Sequence, residues 1–295
     1  MSAKSIMTSV HALLLATQIL AAATTSAIAG DTRGYIPAPP GTTGVLFYYR
    51  NISGSEKYKN GDKIADDFNT QTNLEIIRPM YYSSIASMPV TIQAIFPFGN
   101  MTLDGKSVGN KSYSTSGFAD PIILASVWLI NNPGEKTWLG ISGMITFPIG
   151  EYDKGRVLNP GTNQWVFETE LGFIKGWGNF YLELVPTIQF YTDNNDFTSR
   201  DKTLKKDPYF VMDTHLSCDV SKTVLVSLDH YYKKGGETSV DHIALNDETN
   251  THSLQLTLGL RIAPKQQILL QYLHDLSVEN GPKINTFGVR YTYIF

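Results

Sequence analysis

Apolar and polar residues alternate with period two along most of this chain. At its C-terminal end Phe287, Val289, Tyr291, Tyr293 and Phe295 share one face, and Thr286, Gly288, Arg290, Thr292 and Ile294 the other. Successive side chains of an extended strand point to opposite sides, so this register describes a strand with one apolar face. The pattern recurs upstream. Leu254, Leu256, Leu258, Leu260 and Ile262 alternate with Gln255, Thr257, Gly259 and Arg261. Val224, Val226 and Leu228 alternate with Leu225, Ser227 and Asp229, and Phe180, Leu182 and Leu184 with Tyr181 and Glu183. Helical spacing fits these segments less well. Twelve strands are predicted, at about 43–52, 72–84, 88–98, 117–130, 137–148, 164–175, 179–191, 208–219, 222–233, 250–263, 266–276 and 284–295. The second is irregular: Glu75 and Arg78 fall on opposite faces and Pro79 sits inside, which a β-bulge would repair.

The connections between these strands alternate in length. Segments 53–71, 99–116, 149–163, 192–207 and 234–249 are long, whereas 85–87, 131–136, 176–178, 220–221 and 264–265 are short. A soluble sandwich has no reason to put every long loop at one end. An up-and-down antiparallel barrel of the outer-membrane type does, with long extracellular loops and short periplasmic turns. Because twelve is even, both termini fall on the short-turn side. Closure also satisfies every backbone hydrogen bond, the condition for strands to cross lipid.

Composition agrees. The mean hydropathy of −0.13 and the absence of an apolar run near twenty residues in 30–295 exclude a bundle of membrane helices. Alternation explains that average, because apolar and polar faces cancel. Lys and Arg total 24 against 27 Asp and Glu, so there is no basic excess for nucleic acid. One cysteine, Cys218, excludes an internal disulfide framework and a cysteine zinc cluster; it falls on the apolar side of its strand. At the start, Lys4, the apolar stretch Ala12 to Ala23 and Ala27-Ile28-Ala29 before Gly30 read as a signal peptide over 1–29. Residues 30–42 then form a Pro-rich N-terminal periplasmic segment, read as a tether with a plug as the other reading, and 43–295 the transmembrane barrel.

Charge at mid-bilayer on the lipid face costs about 2–4 kcal/mol per Arg or Lys, so the charged faces should point inward. The predicted lumen-lining residues are Gln93, Glu168, Glu170, Glu183, Gln189, Asp229, Gln255, Arg261, Gln271, Asp275 and Arg290. They form either a substrate path of weak charge selectivity or an internal salt-bridge network. Aromatics near strand ends (Tyr48-Tyr49, Tyr81-Tyr82, Trp138, Trp165, Tyr191, Tyr231-Tyr232, Tyr293) suit interfacial girdles. Twelve strands lie between eight, which side chains fill, and sixteen, which leave an aqueous channel.

Catalytic signatures are thin. Neither a P-loop, an HExxH nor a GxSxG motif occurs. His215 and Ser217 share a face, but with Asp213 that face points inward, whereas a lipid-cleaving pair must face the membrane. Asp193, Asn195, Asp196 and Asp201 form an acidic loop without the glycine and distal glutamate of an EF-hand. Lys202, Lys205 and Lys206 follow and could meet anionic lipopolysaccharide. No catalytic site, metal or cofactor is predicted.

Three motifs carry a family resemblance. Tyr35-Ile36-Pro37-Ala38-Pro39-Pro40-Gly41-Thr42 leads into the first strand, and Gly117-Phe118-Ala119-Asp120-Pro121 opens the fourth. Phe147-Pro148-Ile149-Gly150-Glu151-Tyr152 is followed by Leu158-Asn159-Pro160-Gly161-Thr162-Asn163 and Trp165. In this order they resemble the outer-membrane family named for the meta-pathway of phenol degradation. The resemblance implies a transporter-type barrel of the bacterial outer membrane that passes small hydrophobic or aromatic compounds by passive diffusion. The alternative is a non-transporting structural or surface-binding barrel. Phe295 resembles the C-terminal aromatic signal read by the barrel-assembly machinery. The expected partners are thus that machinery, outer-membrane lipids with lipopolysaccharide, and a small-molecule solute.

Overall fold

The computed structural model describes residues 30–295; the predicted signal peptide lies outside the described residues. Twelve strands form a wall: Thr43–Lys59, Asn69–Ile85, Met88–Gly105, Ile122–Asn132, Thr137–Thr146, Val166–Trp177, Phe180–Tyr191, Tyr209–Asp219, Val224–Gly235, Thr249–Ala263, Gln266–Val278 and Gly281–Ile294. Neighbours are antiparallel, and the last strand pairs with the first, from Gly44 opposite Ile294 to Tyr58 opposite Gly281. The sheet therefore closes and has no bare edge along the wall, as lipid requires.

The predicted strands are all present, but several long connections are themselves strands. Met88–Gly105 pairs with Ile122–Asn132 at its lower end (Ile95 opposite Ile122) and with Lys111–Phe118 at its upper end (Phe98 opposite Phe118). Asn194–Phe197, Lys202–Lys206, Thr238–Val240 and Ile243–Ala244 make a second, four-stranded sheet around Phe197, Leu204 and Val240. These extensions rise beyond the predicted spans. Their apolar positions, such as Met101, Leu103, Phe197, Leu204 and Val240, are too few and too scattered to show the sustained alternation of a half-buried strand.

Burial reports which way each side chain points. In Tyr209–Asp219, Tyr209, Val211, Asp213, His215 and Ser217 are buried, while Phe210 and Leu216 are exposed. Phe47, Ile92, Phe96, Phe167, Leu228, Leu256 and Phe287 are likewise bare on the outside, Leu256 at 61%. Soluble monomers rarely expose apolar patches beyond a few hundred Å². A belt of this kind around a closed barrel is the surface that hydrocarbon covers.

Three expectations are corrected. The strand Asn69–Ile85 has no bulge: its register against Thr43–Lys59 runs unbroken from Thr43 opposite Tyr81 to Gly54 opposite Thr70. Arg78 points inward and Glu75 outward, in the upper part of the strand beside the hydrogen-bonded Asn51, Asn73 and Asn100. Second, the girdle reading holds for only part of its aromatics. Tyr49, Tyr81 and Trp165 are exposed outside, but Tyr48, Tyr82, Trp138 and Tyr231 are buried in the lumen. Adjacent residues of a strand cannot both face lipid, so each Tyr-Tyr pair had to split. Third, of the two readings of the N-terminal segment the tether gives way to the plug, because its first residues enter the lumen.

Candidate functional site

Alternation decides which side chains meet inside the barrel. Gln93, Glu183, Gln189, Asp229, Gln255, Gln271 and Asp275 are buried on the inner face. Glu168, Glu170 and Arg290 are half-buried there. Arg261 has the same parity but is exposed at the periplasmic mouth, where the register slips between Arg261 and Ala263. It does not line the lumen.

Many of these groups hold the N-terminal segment. Asp31 accepts hydrogen bonds from Arg290 NH1 (2.7 Å), the Tyr48 hydroxyl (2.8 Å) and Gln271 Nε2 (3.1 Å). The amides of Arg33 and Tyr35 donate to the two oxygens of Glu183, at 2.5 and 3.1 Å. Arg33 crosses toward the next strand, donating to Ser217 Oγ (3.0 Å) and pairing with Asp219 (2.6 Å) over the Tyr181 ring. Tyr35 is the anchor. Its hydroxyl bonds Ser142 Oγ at 2.5 Å and donates to Glu170 Oε2 at 2.9 Å, and its carbonyl accepts from Trp128 Nε1 at 2.8 Å. Its ring packs in a cluster with Tyr82, Trp128, Trp138, Ile174 and Val185. A glycine pair makes room for that ring: Gly140 and Gly172 lie opposite each other, and a Cβ on Gly172 would come within 2.1 Å of it. Residues 30–36 therefore plug the lumen. The segment then turns out at the periplasmic rim, where Gly41 and Thr42 bond the backbone of Tyr82.

A cavity of about 170 Å³ opens above the plug toward the long connections. One side is apolar, with Leu74, Ile76, Ile95 and Ile122; the other carries Glu168, Gln189, Lys233 and Asp275. The apolar side continues through Tyr48, level with Ile76, into Leu46, Leu124 and Met144 of the same cluster. These inward aliphatics were not predicted as lining, because strands such as Ile122–Asn132 are apolar on both faces and show no alternation. Lys206 reaches the cavity from the second sheet. Its ammonium lies 4.3 Å from the centre of the Tyr191 ring and 5.1 Å from that of Tyr209. Burial lowers its pKa to about 8, and the Asp247 carboxylate works in the opposite direction.

The other two motifs meet at this mouth. Asp120 Oδ1 accepts from the Gly150 amide (2.9 Å), and Oδ2 accepts from the Thr162 amide and hydroxyl (both 2.7 Å). A Cβ on Gly150 or Gly161 would lie within about 3 Å of Asp120 Oδ1, so small residues are needed for the approach. One carboxylate thus clasps the segment between residues 147 and 165 against the barrel.

Other candidate chemistry is absorbed by structure. His215 Nδ1 bonds Asp229 Oδ1 at 2.9 Å, and Ser217 is taken by Arg33. In the acidic loop Asp193 pairs with Lys205 and Asp201 with Lys154, while Lys202 pairs with Asp241. Among the described residues no group of His, Cys, Asp and Glu is arranged to hold a metal ion.

A closed antiparallel wall, an aliphatic exterior and a polar interior under a mouth of long connections define an outer-membrane β-barrel of the channel type. The family is equally plain. The model for the family described as "Putative MetA-pathway of phenol degradation" matches residues 53–291, and the chain belongs to that family. Among solved structures the chain is similar to an outer membrane channel from Pseudomonas putida F1, with a TM-score of 0.86 and 27% identity, covering 90% of this chain and 99% of that one. The translocator domain of the autotransporter NalP from Neisseria meningitidis shares the fold alone, with a TM-score of 0.56 and 12% identity over 95% of this chain and 99% of that one. No curated protein matches the chain.

Proposed function

We propose that this barrel admits small apolar or aromatic molecules across the outer membrane by passive diffusion, and that the N-terminal segment is the stopper that limits what passes. The observation that carries the reading is the two-sided lumen. Inside one cavity Leu74, Ile76, Ile95 and Ile122 face a polar wall, and the same aliphatic cluster continues as a track beyond the cavity to Leu46 and Met144. A purely hydrophilic pore has no use for such a track, and a barrel that is only structural would fill the space with its own side chains. The mixed wall suits a molecule with an apolar body and one or two polar groups, since ligand sites are mostly apolar with a few polar groups that orient the guest.

Cells lacking and overexpressing the protein test this, by uptake of a phenol-sized aromatic against a hydrophilic solute of equal size. Uptake of the aromatic should follow expression and fall in Ile95→Asp, while the hydrophilic solute changes little. Equal uptake of both, or no dependence on expression, refutes the reading. A lumen that stays water-tight even without residues 30–36 would favour a surface-binding barrel instead.

A further inference from the structure

Gly30 is the first described residue, and it is already inside the barrel. Its nitrogen lies 3.0 Å from Asp213 Oδ2. The surroundings ask for more than one peptide N–H. Asp213 and His215 are buried to 2% and 1% exposure, yet Asp213 Oδ1 and His215 Nε2 have no hydrogen-bond partner among the described residues. Both side chains border Gly30: a Cβ built there would lie 3.6 Å from Asp213 Oδ2 and 3.9 Å from His215 Nε2. His215 Nδ1 is committed to Asp229, which leaves Nε2 as an acceptor when the ring is neutral. Two acceptors without a partner, one of them an oxygen of a buried carboxylate, thus converge where a neutral amide offers one hydrogen.

The charge of this wall points the same way. Glu170, Glu183 and Asp213 face the plug from consecutive wall strands. Arg33, the plug's own cation, is drawn off to Asp219. A buried carboxylate with one oxygen left unbonded is costly, and groups of this kind are normally matched by a charge with several donors.

We propose that the chain is cut between Ala29 and Gly30, after the small-x-small pattern Ala27-Ile28-Ala29, and that the α-ammonium left on Gly30 is the buried counter-ion of Asp213. It brings one positive charge and three N–H donors into direct contact with a carboxylate to which the uncut chain offers one peptide N–H, adding to the Lys233 ammonium and the His215 ring that act on Asp213 from the wall. Hydrolysis of the Ala29–Gly30 peptide bond by water would release 1–29 with a carboxylate on Ala29 and leave the protonated amine on Gly30, so the same step supplies the ion pair and the plug seats only in the processed protein. The ligand of the Asp213–His215 site is then the chain's own new terminus.

The test uses the full-length gene, with protein purified from outer membranes in detergent and scored as folded by heat-dependent gel mobility. Intact mass and N-terminal sequencing should place the start at Gly30. The α-amine of the folded barrel should react with an acylating reagent at neutral pH at least about tenfold more slowly than that of an unfolded sample, the rate change expected when the proton is held one unit more tightly. Asp213→Asn, which keeps an acceptor and removes only the charge, should restore most of that reactivity. Alanine inserted between Ala29 and Gly30, displacing the ammonium by one residue, should do the same and raise tryptic cutting after Arg33. A start other than Gly30, an α-amine as reactive in the folded wild type as in the unfolded chain, or protection unchanged in Asp213→Asn would overturn the proposal.

Discussion

The replacement Gly172→Ala tests the plug at the point where it is most tightly fitted. A Cβ there would lie 2.1 Å from two atoms of the Tyr35 ring, against 3.4–4 Å for ordinary contact, so the ring must move by more than about 1 Å. Backbone cannot absorb this, because Gly172 is held in register opposite Gly140. Movement breaks the Tyr35 hydroxyl contacts with Ser142 and Glu170 and strains the Trp128 bond to its carbonyl. Overpacking costs about 1–3 kcal/mol and an orphaned buried polar group about 1–3 kcal/mol. A total near 3 kcal/mol moves the seated-to-released ratio of the plug on the order of 100-fold. Trypsin reads that ratio at Arg33, because cleavage tracks the released population when release is fast. The variant should be cut after Arg33 on the order of 100-fold faster and show larger single-channel conductance in planar bilayers, with barrel folding unchanged. Gly143→Ala is the control. It lies three residues from Gly140 on the same strand but on the outer face, with nothing within 4 Å of its Cβ. A Gly172→Ala protein with wild-type protection and conductance would refute the idea that a glycine slot seats the plug.

Asp31→Asn should release the same segment by another route. It leaves the Arg290 guanidinium buried beside a neutral side chain, a loss of roughly 3–5 kcal/mol for a broken buried pair, again read by trypsin at Arg33. Leu256→Arg should lower the urea midpoint of the refolded barrel in lipid by an amount equivalent to about 2–4 kcal/mol, the cost of Arg near mid-bilayer, whereas Leu256→Met, which keeps the exposed outer face apolar, should leave it nearly unchanged. Lys206 predicts a pH effect. Its pKa is lowered to about 8, so the ammonium is present at pH 7 and largely lost at pH 9. The reversal potential in a salt gradient should shift toward cations across that range, and Lys206→Met should abolish the shift.

The sequence by itself determined the barrel. Period-two alternation in strands such as Thr249–Ala263 needs no tertiary information, because a strand's geometry assigns its faces and lipid penalises charge on one of them. Connection lengths then fixed the topology, and the parity of Glu183, Asp229 and Gln255 placed them inside. The three signature motifs were visible as patterns, but their purpose was not: Asp120 meets Gly150 and Thr162 only when distant segments fold together. The plug was one of two readings that the sequence left open. Residues 30–36 have no periodicity, and what fixes them is a set of acceptors from strands more than a hundred residues away, such as Glu183 and Asp213. The glycine slot lay in the inward parity of Gly140 and Gly172 on neighbouring strands, legible only once the register made them opposite. The aromatic excess divided in the same way. Local pattern put Tyr48 and Tyr49 side by side, but only the closed barrel sent one to lipid and the other to Asp31, because a closed sheet has one inside and that inside was already occupied by the chain's own N-terminal segment.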